Sequence, residues 1–234
     1  DETEHDGEYI QIPRRPIHPK PYQDPHPPLY MACTRADALT TAGSRGIGAL
    51  VLGFAGPDDI AAKNAIYRAA WADRKAEDQV GFRPTEHLAA LCPALVLDDR
   101  EKARRIGLRG QRFFVESLGY WYQGGPKPTV EDLSGDEQAA ILQQEKAAVV
   151  AYLSEEKITI GSEHTGAYEE VQDAYGTADD CIRYVQRLFD AGADEILFLF
   201  QMGAVPHDVI LETIRNIGTH VIPHFRAQAA VAAQ

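Results

Sequence analysis

Four short apolar runs, each followed by a helix-forming stretch, constrain the fold of this 234-residue chain more than any other feature. The runs cover residues 29–33, 49–54, 87–97 and 195–200. Strands that are apolar on both faces are typical of parallel sheets covered by helices. A complete (β/α)8 barrel takes roughly 250 residues, or about 30 for each strand–helix unit. Four units therefore predict an α/β fold with four parallel strands in chain order, which is half of a TIM barrel.

Helix signals stand where such a fold needs them. The predicted helices cover residues 36–44, 56–75, 98 onward, 176–191 and 206–216. Pro57 suits the first turn of its helix, because proline has no amide hydrogen to leave unpaired there. Thr177 is expected to cap the fourth helix, with Asp180 at the capping-box position. The third helix is expected to turn inward the residues Ala103, Ile106, Phe113 and Phe114.

The remaining segments predict the domain organisation. Residues 1–28 contain seven prolines, a density that excludes a helix or a central strand and predicts an extended connector. The half-barrel should occupy residues 29–226 and a tail residues 227–234. Residues from about 126 to 166 are rich in glycine, serine and acidic residues, with a helix expected over 135–153. They predict a mobile insertion, which is either a lid-like segment or an inert surface excursion.

Composition excludes several classes of function. A net charge of −12 argues against binding to nucleic acid, which needs a dense basic surface. No apolar run reaches the roughly 18 residues of a membrane-spanning helix, and the acidic start is unlike a secretion signal. Cys33, Cys92 and Cys181 are far apart, so neither a disulfide framework nor a zinc site is predicted. Reduced thiols favour a cytoplasmic protein.

Several stretches, in order, resemble one family of enzymes. They are residues 25–32, 41–48, 176–182, 191–194, 201–203, 206–207 and 221–223. Together they resemble the luciferase-like flavin-dependent monooxygenases, from about Gly7 to Arg226. The resemblance implies that the chain is the C-terminal half of the barrel, and that the enzyme uses reduced FMN, or the deazaflavin F420, with molecular oxygen and a small organic substrate. It also implies a flavin reductase as the source of reduced flavin.

The resemblance also implies which residues contact the cofactor, since barrel enzymes place their sites at the carboxyl ends of the strands. The residues are Thr34, Arg35, Gly53, Phe54, Gln201, Met202 and Gly203. Arg35 stands where the family usually has a serine, and we expect its guanidinium to face the cavity and bind the flavin phosphate with backbone amides. The alternatives are that Arg35 faces solvent, that Phe54 is ordinary core and that Gln201 belongs to a loop.

No catalytic residue is assigned, because the family's catalytic histidine would lie in the missing half. His207 is expected to be solvated, His87 to lie at the opposite rim and His26 to be structural. Cys33 is interpreted as packing, since no histidine is placed to activate its thiol. The third helix carries four arginines that we interpret as a solvated face: Arg104, Arg105, Arg109 and Arg112.

Two other functions remain open from the sequence. One is a non-catalytic flavin-binding protein of the same fold. The other is an unrelated half-barrel isomerase of phosphorylated sugars, which needs glycine-rich phosphate turns at two strand ends. In each case half a barrel leaves two strand edges open, so we expect a missing N-terminal half or a second copy to pair with them.

Overall fold

The structure is a computed structural model that describes residues 2–54, 56–129, 131, 133–137, 140 and 174–232. The strands and the first helices, in chain order, are β1 (Glu2–Asp6), β2 (Gln11–Pro16), β3 (Tyr30–Ala32), α1 (Ala36–Ser44), β4 (Gly48–Leu52), α2 (Pro57–Ala72), β5 (Leu88–Pro93), β6 (Leu95–Val96) and α3 (Arg100–Gln123). The later elements are β7 (Tyr175–Gly176), α4 (Ala178–Asp190), β8 (Glu195–Leu199), α5 (His207–Asn216) and α6 (Ile222–Ala232). A short 3-10 helix, Ala76–Asp78, precedes β5, and a π-helical turn, Ile217–Val221, joins α5 to α6.

The central sheet has four strands in the order β3-β4-β5-β8. All three pairings are parallel, which confirms the predicted strand order. Helices connect the successive strands, as parallel pairing requires. The carboxyl ends of all four strands therefore lie along one edge of the sheet.

Among the described residues, helices cover one of the two faces of this sheet and leave the other open. On the covered face, Ala49, Val51, Leu88, Ala90 and Cys92 are at most 3% exposed, and Ile196 and Phe198 of β8 are partly buried. On the other face, Leu52 lies in register with Leu91, which lies in register with Leu197. Leu52 is 44% and Leu197 39% exposed, although both are apolar. The uncovered face, which we call the lumen face, is the surface that would line the interior of a closed barrel.

The predicted third strand, residues 87–97, is in fact two strands. The sheet strand β5 ends at Pro93, and the Ala94 amide donates to the carbonyl of Leu199 at 3.1 Å. The chain then leaves the sheet, and β6 pairs in parallel with β7. The two residues of β7 were not predicted to form a strand. Proline has no amide hydrogen for further pairing, which is consistent with a break at this position.

The helix ends follow the sequence signals closely. The observed α1 has the predicted bounds, and Pro57 opens α2. At the start of α4 the Thr177 side chain accepts from the Asp180 amide, and the Asp180 carboxylate accepts from the Thr177 amide. This confirms the predicted capping box. Ala103 and Ile106 are buried as expected, whereas Phe114 is 38% exposed.

The two ends of the chain contain structure that the sequence did not indicate. Within the predicted connector, β1 and β2 form an antiparallel hairpin whose side chains are almost all exposed. His26 attaches the following segment to the body, since its Nε2 accepts from the Phe82 amide at 2.9 Å. At the other end, α6 extends through much of the predicted tail. Most of the predicted insertion lies outside the described residues, although residues 135–137 and 140, at the start of its predicted helix, are helical.

Within the described ranges, no helix combines the length and the apolar character needed to cross a membrane.

The capping box of α4 provides a test of these contacts. Burial raises the pKa of the Asp180 carboxyl, but hydrogen bonds from Thr177 and the charges of Arg100 and Arg183 outweigh burial, so the pKa is lowered. A carboxyl with a lowered folded-state pKa stabilises the fold above its unfolded pKa of about 3.9, and this contribution is lost as the pH falls through the folded value. We expect Asp180→Asn to lower the free energy of unfolding at pH 7, and the difference from wild type to shrink at pH 3.

Urea denaturation at both pH values measures this, with Asp179→Asn as the matched control, because Asp179 is an exposed neighbour in the same helical turn. Thr177→Ala should lower the free energy of unfolding by about 1 kcal/mol, the usual contribution of such a cap. Equal effects of the two asparagine variants would contradict this account of Asp180.

Candidate functional site

The candidate site is the edge of the sheet where the four parallel strands end, which we call the mouth. Strands in a sheet lie about 4.8 Å apart, so the ends of β3 and β8 are separated by about 14 Å. Proteins with parallel strands and connecting helices build their sites at this edge. All seven predicted site residues lie within four positions after the end of β3, β4 or β8: Thr34, Arg35, Gly53, Phe54, Gln201, Met202 and Gly203.

At the end of β3, Arg35 forms an ion pair rather than lying free. Its Nε donates to Asp37 Oδ1 at 2.9 Å, and its Nη2 donates to Asp37 Oδ2. This hydrogen bond lowers the pKa of the Asp37 carboxyl. The Arg35 side chain is 51% exposed, and Thr34 is exposed beside it. Arg35 occupies the N-cap position of α1 without forming a side-chain cap, and within the first turn the Ala38 amide donates to Asp37 Oδ1 at 2.9 Å.

At the end of β4, a glycine allows a close approach to β5. The Gly53 amide donates to the Leu91 carbonyl at 2.8 Å, and a Cβ at position 53 would lie 2.6 Å from that oxygen. Phe54 follows and is half-buried. Its ring stacks on the ring of Phe114, with the centroids 5.6 Å apart and the planes at 16°. Gly53 therefore contacts the neighbouring strand, and Phe54 contacts helix α3.

A buried ion pair supports the end of β4. Lys63 Nζ donates to the Leu52 carbonyl at 2.7 Å and to Asp59 Oδ2 at 2.5 Å. The Lys63 and Asp59 side chains are 6% and 1% exposed, and Asp59 Oδ1 has no hydrogen-bond partner among the described residues. Removing one member of a buried pair leaves an uncompensated charge. Because Lys63 also holds the Leu52 carbonyl, the pair fixes the turn that carries Phe54. The sequence alone did not single it out.

At the end of β8, Gln201 and Gly203 are open to solvent, and Met202 is buried. Gln201 is exposed, whereas Met202 is 5% exposed and packs in a core cluster with Leu95 and Tyr175. Gly203 has a φ of +59°, and a Cβ there would lie 3.0 Å from Phe113 Cβ. Met202 and Gly203 therefore contact other protein groups, and Gln201 provides the accessible polar side chain.

Helix α3 crosses the mouth from β8 to β4. A Cβ at Gly110 would lie 2.5 Å from the Met202 carbonyl oxygen, so only glycine permits this contact. Phe113 packs on Gly203 after β8, and the next residue, Phe114, stacks on Phe54 after β4. The contact of α3 with the segments after β8 and β4 was not predicted from the sequence. The available signal was Gly107 and Gly110, three residues apart and hence on one face of the helix.

The inner side of α3 is polar as well as apolar. Tyr175 donates its hydroxyl to Gln111 Oε1 at 2.8 Å inside the protein. Arg112 is 1% exposed, its Nε lies 3.3 Å from Glu116 Oε1, and its Nη2 donates to Thr129 Oγ1 at 3.3 Å. The interpretation of the four arginines as a solvated face is therefore wrong for Arg112. A buried guanidinium needs such partners, and the segment that carries Thr129 supplies them.

The described histidines lie away from the carboxyl ends of the strands or at the surface. His87 lies just before β5, with its ring 5.6 Å from the ring of Tyr30 and its Nε2 3.9 Å from Glu195 Oε2. These residues mark the amino ends of the strands, opposite the mouth, as expected. His207 is exposed at the first position of α5.

Comparison with known proteins gives one family. A family model described as luciferase-like monooxygenase matches residues 1–195. No protein of curated function matches the sequence significantly. The match includes α1 to α4 and all but the last strand of the sheet.

Solved structures have the same fold. The monooxygenase RslO1 from Streptomyces bottropensis is 17% identical with a TM-score of 0.58, and the alignment covers 95% of this chain and 56% of RslO1. The coenzyme F420-dependent tetrahydromethanopterin reductase from Methanopyrus kandleri is 21% identical with a TM-score of 0.56, covering 95% and 58%. The oxygenating constituent of 3,6-diketocamphane monooxygenase from Pseudomonas putida, in complex with FMN, is 16% identical with a TM-score of 0.56, covering 95% and 58%.

These comparisons confirm the predicted fold class. The chain is the C-terminal half of a TIM barrel, and it spans only somewhat more than half the length of the solved structures that it matches. At these identities the similarity shows the fold alone.

The thiols provide a test of the packing beneath the mouth. Burial raises the pKa of the Cys33 thiol to about 11 and that of the Cys181 thiol to about 12, and it raises the pKa of the Cys92 thiol as well. All three side chains are fully buried. Because the thiolate is the reactive form, we expect no rapid reaction with Ellman's reagent at pH 8 in the folded chain, and three reactive thiols after denaturation.

Thr34→Cys is the matched control, since Thr34 is exposed and adjacent to Cys33. This variant should gain one rapidly reacting thiol. Rapid reaction of a native thiol in the wild-type chain would contradict the packing around Cys33.

Proposed function

Because the chain belongs to the luciferase-like monooxygenases, we propose that it is the C-terminal half of a flavin-dependent monooxygenase. The proposed reaction uses reduced flavin and molecular oxygen to oxidise a small organic substrate. A flavin reductase would supply the reduced flavin. The observation that carries this proposal is the family match over most of the chain, joined to a mouth at which the expected residues follow the strands in order.

The start of α1 fits the phosphate of a flavin mononucleotide. Arg35 at the N-cap forms no side-chain cap, and amides aligned with a helix dipole attract anions. Of the first-turn amides, that of Ala38 already donates to Asp37 Oδ1 at 2.9 Å. Thr34 and Arg35 adjoin this turn and would add a hydroxyl and a guanidinium. Asp37 opposes this, because its carboxylate holds the guanidinium and repels an anion. Arg35 would therefore exchange one anionic partner for another when phosphate binds.

The other proposed contacts serve the ring system and the substrate. When bound, reduced flavin supplies the electrons with which oxygen is activated. Gly53 brings β4 and β5 close together, Phe54 offers an apolar wall that excludes water, and Gln201 offers an amide that can donate and accept hydrogen bonds. Met202 and Gly203 would support this end of the site through their backbone and their packing on α3.

FMN is the proposed cofactor, with the deazaflavin F420 as the alternative. A neighbour solved with FMN and an F420-dependent neighbour have the same TM-score of 0.56 to this chain. The second candidate function is a non-catalytic flavin-binding protein of the same fold. An oxygenase consumes oxygen and substrate together, whereas a binding protein retains the flavin without turnover.

The other half of the barrel is part of the proposal. The lumen face is apolar and uncovered, and β3 and β8 each have one edge that is unpaired within the described residues. We propose that an N-terminal half, or a second copy of the chain, pairs with these edges and completes the flavin site. Three unpaired buried thiols favour a reducing compartment such as the cytoplasm.

The proposal is tested by titrating the completed barrel anaerobically with reduced FMN. A charge-assisted hydrogen bond contributes about 1.5–3 kcal/mol, so Arg35→Ala should weaken binding by roughly 10- to 150-fold. Asp37→Asn should strengthen binding, since it removes a competing carboxylate. Arg45→Ala is the control, because Arg45 is exposed at the opposite end of α1.

Failure of the completed barrel to bind any reduced flavin or F420 would contradict the proposed function. Binding that is equally strong in the Arg35 and Arg45 variants would contradict only the role of Arg35.

A further inference from the structure

The mouth has an aromatic wall made by two elements that are far apart in the sequence. Phe54 follows β4, and Phe114 lies on α3, sixty residues later. Their rings stack with the centroids 5.6 Å apart, and 38% of Phe114 remains exposed. Offset stacking with centroids about 4.5–7 Å apart is the favoured geometry of aromatic pairs, and an exposed stacked ring can accept a further ring.

Both rings are held by their surroundings. The ammonium group of Lys63 fixes the turn that carries Phe54, because it donates to the carbonyl of Leu52, two residues before Phe54. Phe114 follows Phe113, which packs on Gly203 at the end of β8. A pre-positioned wall of this kind loses little side-chain freedom when a ligand binds, and such pre-organisation strengthens binding.

The surroundings of the stack determine which ligand suits it. On the lumen face, Leu52 and Leu199 end the strands on either side of β5 and are incompletely buried. Arg35, the cation proposed to hold the flavin phosphate, follows a different strand, β3, and is not part of the stack. A charged group placed against leucine and phenylalanine side chains would lose hydration without gaining a partner. The wall therefore favours an uncharged ligand.

We propose that Phe54 and Phe114 form a substrate subsite that takes an uncharged, planar ring. The identification of the ligand as a substrate rests on the proposed function, whereas the ring-binding site itself does not. The ring extends the existing stack on the exposed side of Phe114, so Phe114 determines the preference for planar over non-planar substrates.

The test uses residues 1–234 and three probes of one carbon skeleton. They are 2-naphthol, which is planar and uncharged, decahydro-2-naphthol, which is uncharged but not planar, and naphthalene-2-sulfonate, which is planar and anionic. Binding is measured by equilibrium dialysis without flavin. The difference between the first two probes isolates stacking, because other apolar surfaces of the lumen face bind both.

We expect wild type to prefer 2-naphthol over decahydro-2-naphthol by about tenfold. Phe114→Leu keeps an apolar side chain without a ring, and it should remove this preference while leaving decahydro-2-naphthol binding within about twofold. Phe82→Ala, which removes an 86% exposed ring elsewhere, should change neither value. A preference that survives in Phe114→Leu overturns the proposal, and so does sulfonate binding that equals naphthol binding and is weakened to the same extent by Phe114→Leu.

The outcome is separable from that of the flavin titration. Dependence of ring binding on Phe114, with no flavin binding by the completed barrel, would leave a ring-binding site but reject the monooxygenase. Flavin binding without any dependence on Phe114 would keep the proposed function and reject this subsite.

Discussion

The uncovered apolar face of the four-stranded sheet is the constraint on which the rest of the structure depends. Parallel strands are normally buried on both faces, yet here Leu52, Leu91 and Leu197 form a continuous row on the lumen face, and the first and third of these are exposed. Each square ångström of apolar surface left in water forgoes about 25 cal/mol. A closed barrel buries this surface and removes both sheet edges at once. The geometry of the chain is therefore that of one half of a barrel.

The same constraint explains why α3 matters to the site. With half of the barrel wall absent, the mouth is bounded within this chain by the strand ends and by a helix that lies across them. Glycines at 107 and 110 bring α3 against Tyr175 and Met202, and this contact places Phe114 over the end of β4. The site thus depends on packing between segments that are distant in sequence. The flavin phosphate site proposed at α1 is, in contrast, local to one strand–helix turn.

The local features were predictable from the sequence, and the distant contacts were not. The bounds of α1 and the capping box at Thr177 and Asp180 follow from short patterns whose physical causes lie within a few residues. The strand order follows from the repetition of strand–helix units along the chain. The split after Pro93 depends on pairing with residues some eighty positions later. The buried Lys63–Asp59 pair and the buried Arg112 resemble ordinary surface charges in the sequence, because burial is decided by tertiary packing. The roles of the cofactor contacts stay predictions.

The central claim, that this chain is an incomplete barrel with two open edges, is tested most directly by amide hydrogen exchange on a confirmed monomer. The Cys33 amide bonds to β4 and the Asp194 amide to β5, so the alternating amides of Ala32 and Leu197 point to the free edges. The account predicts rapid exchange at Ala32 and Leu197 in the monomer, and strong protection when the missing half is supplied. Slow exchange at both positions in the monomer, unchanged by any partner, would contradict it.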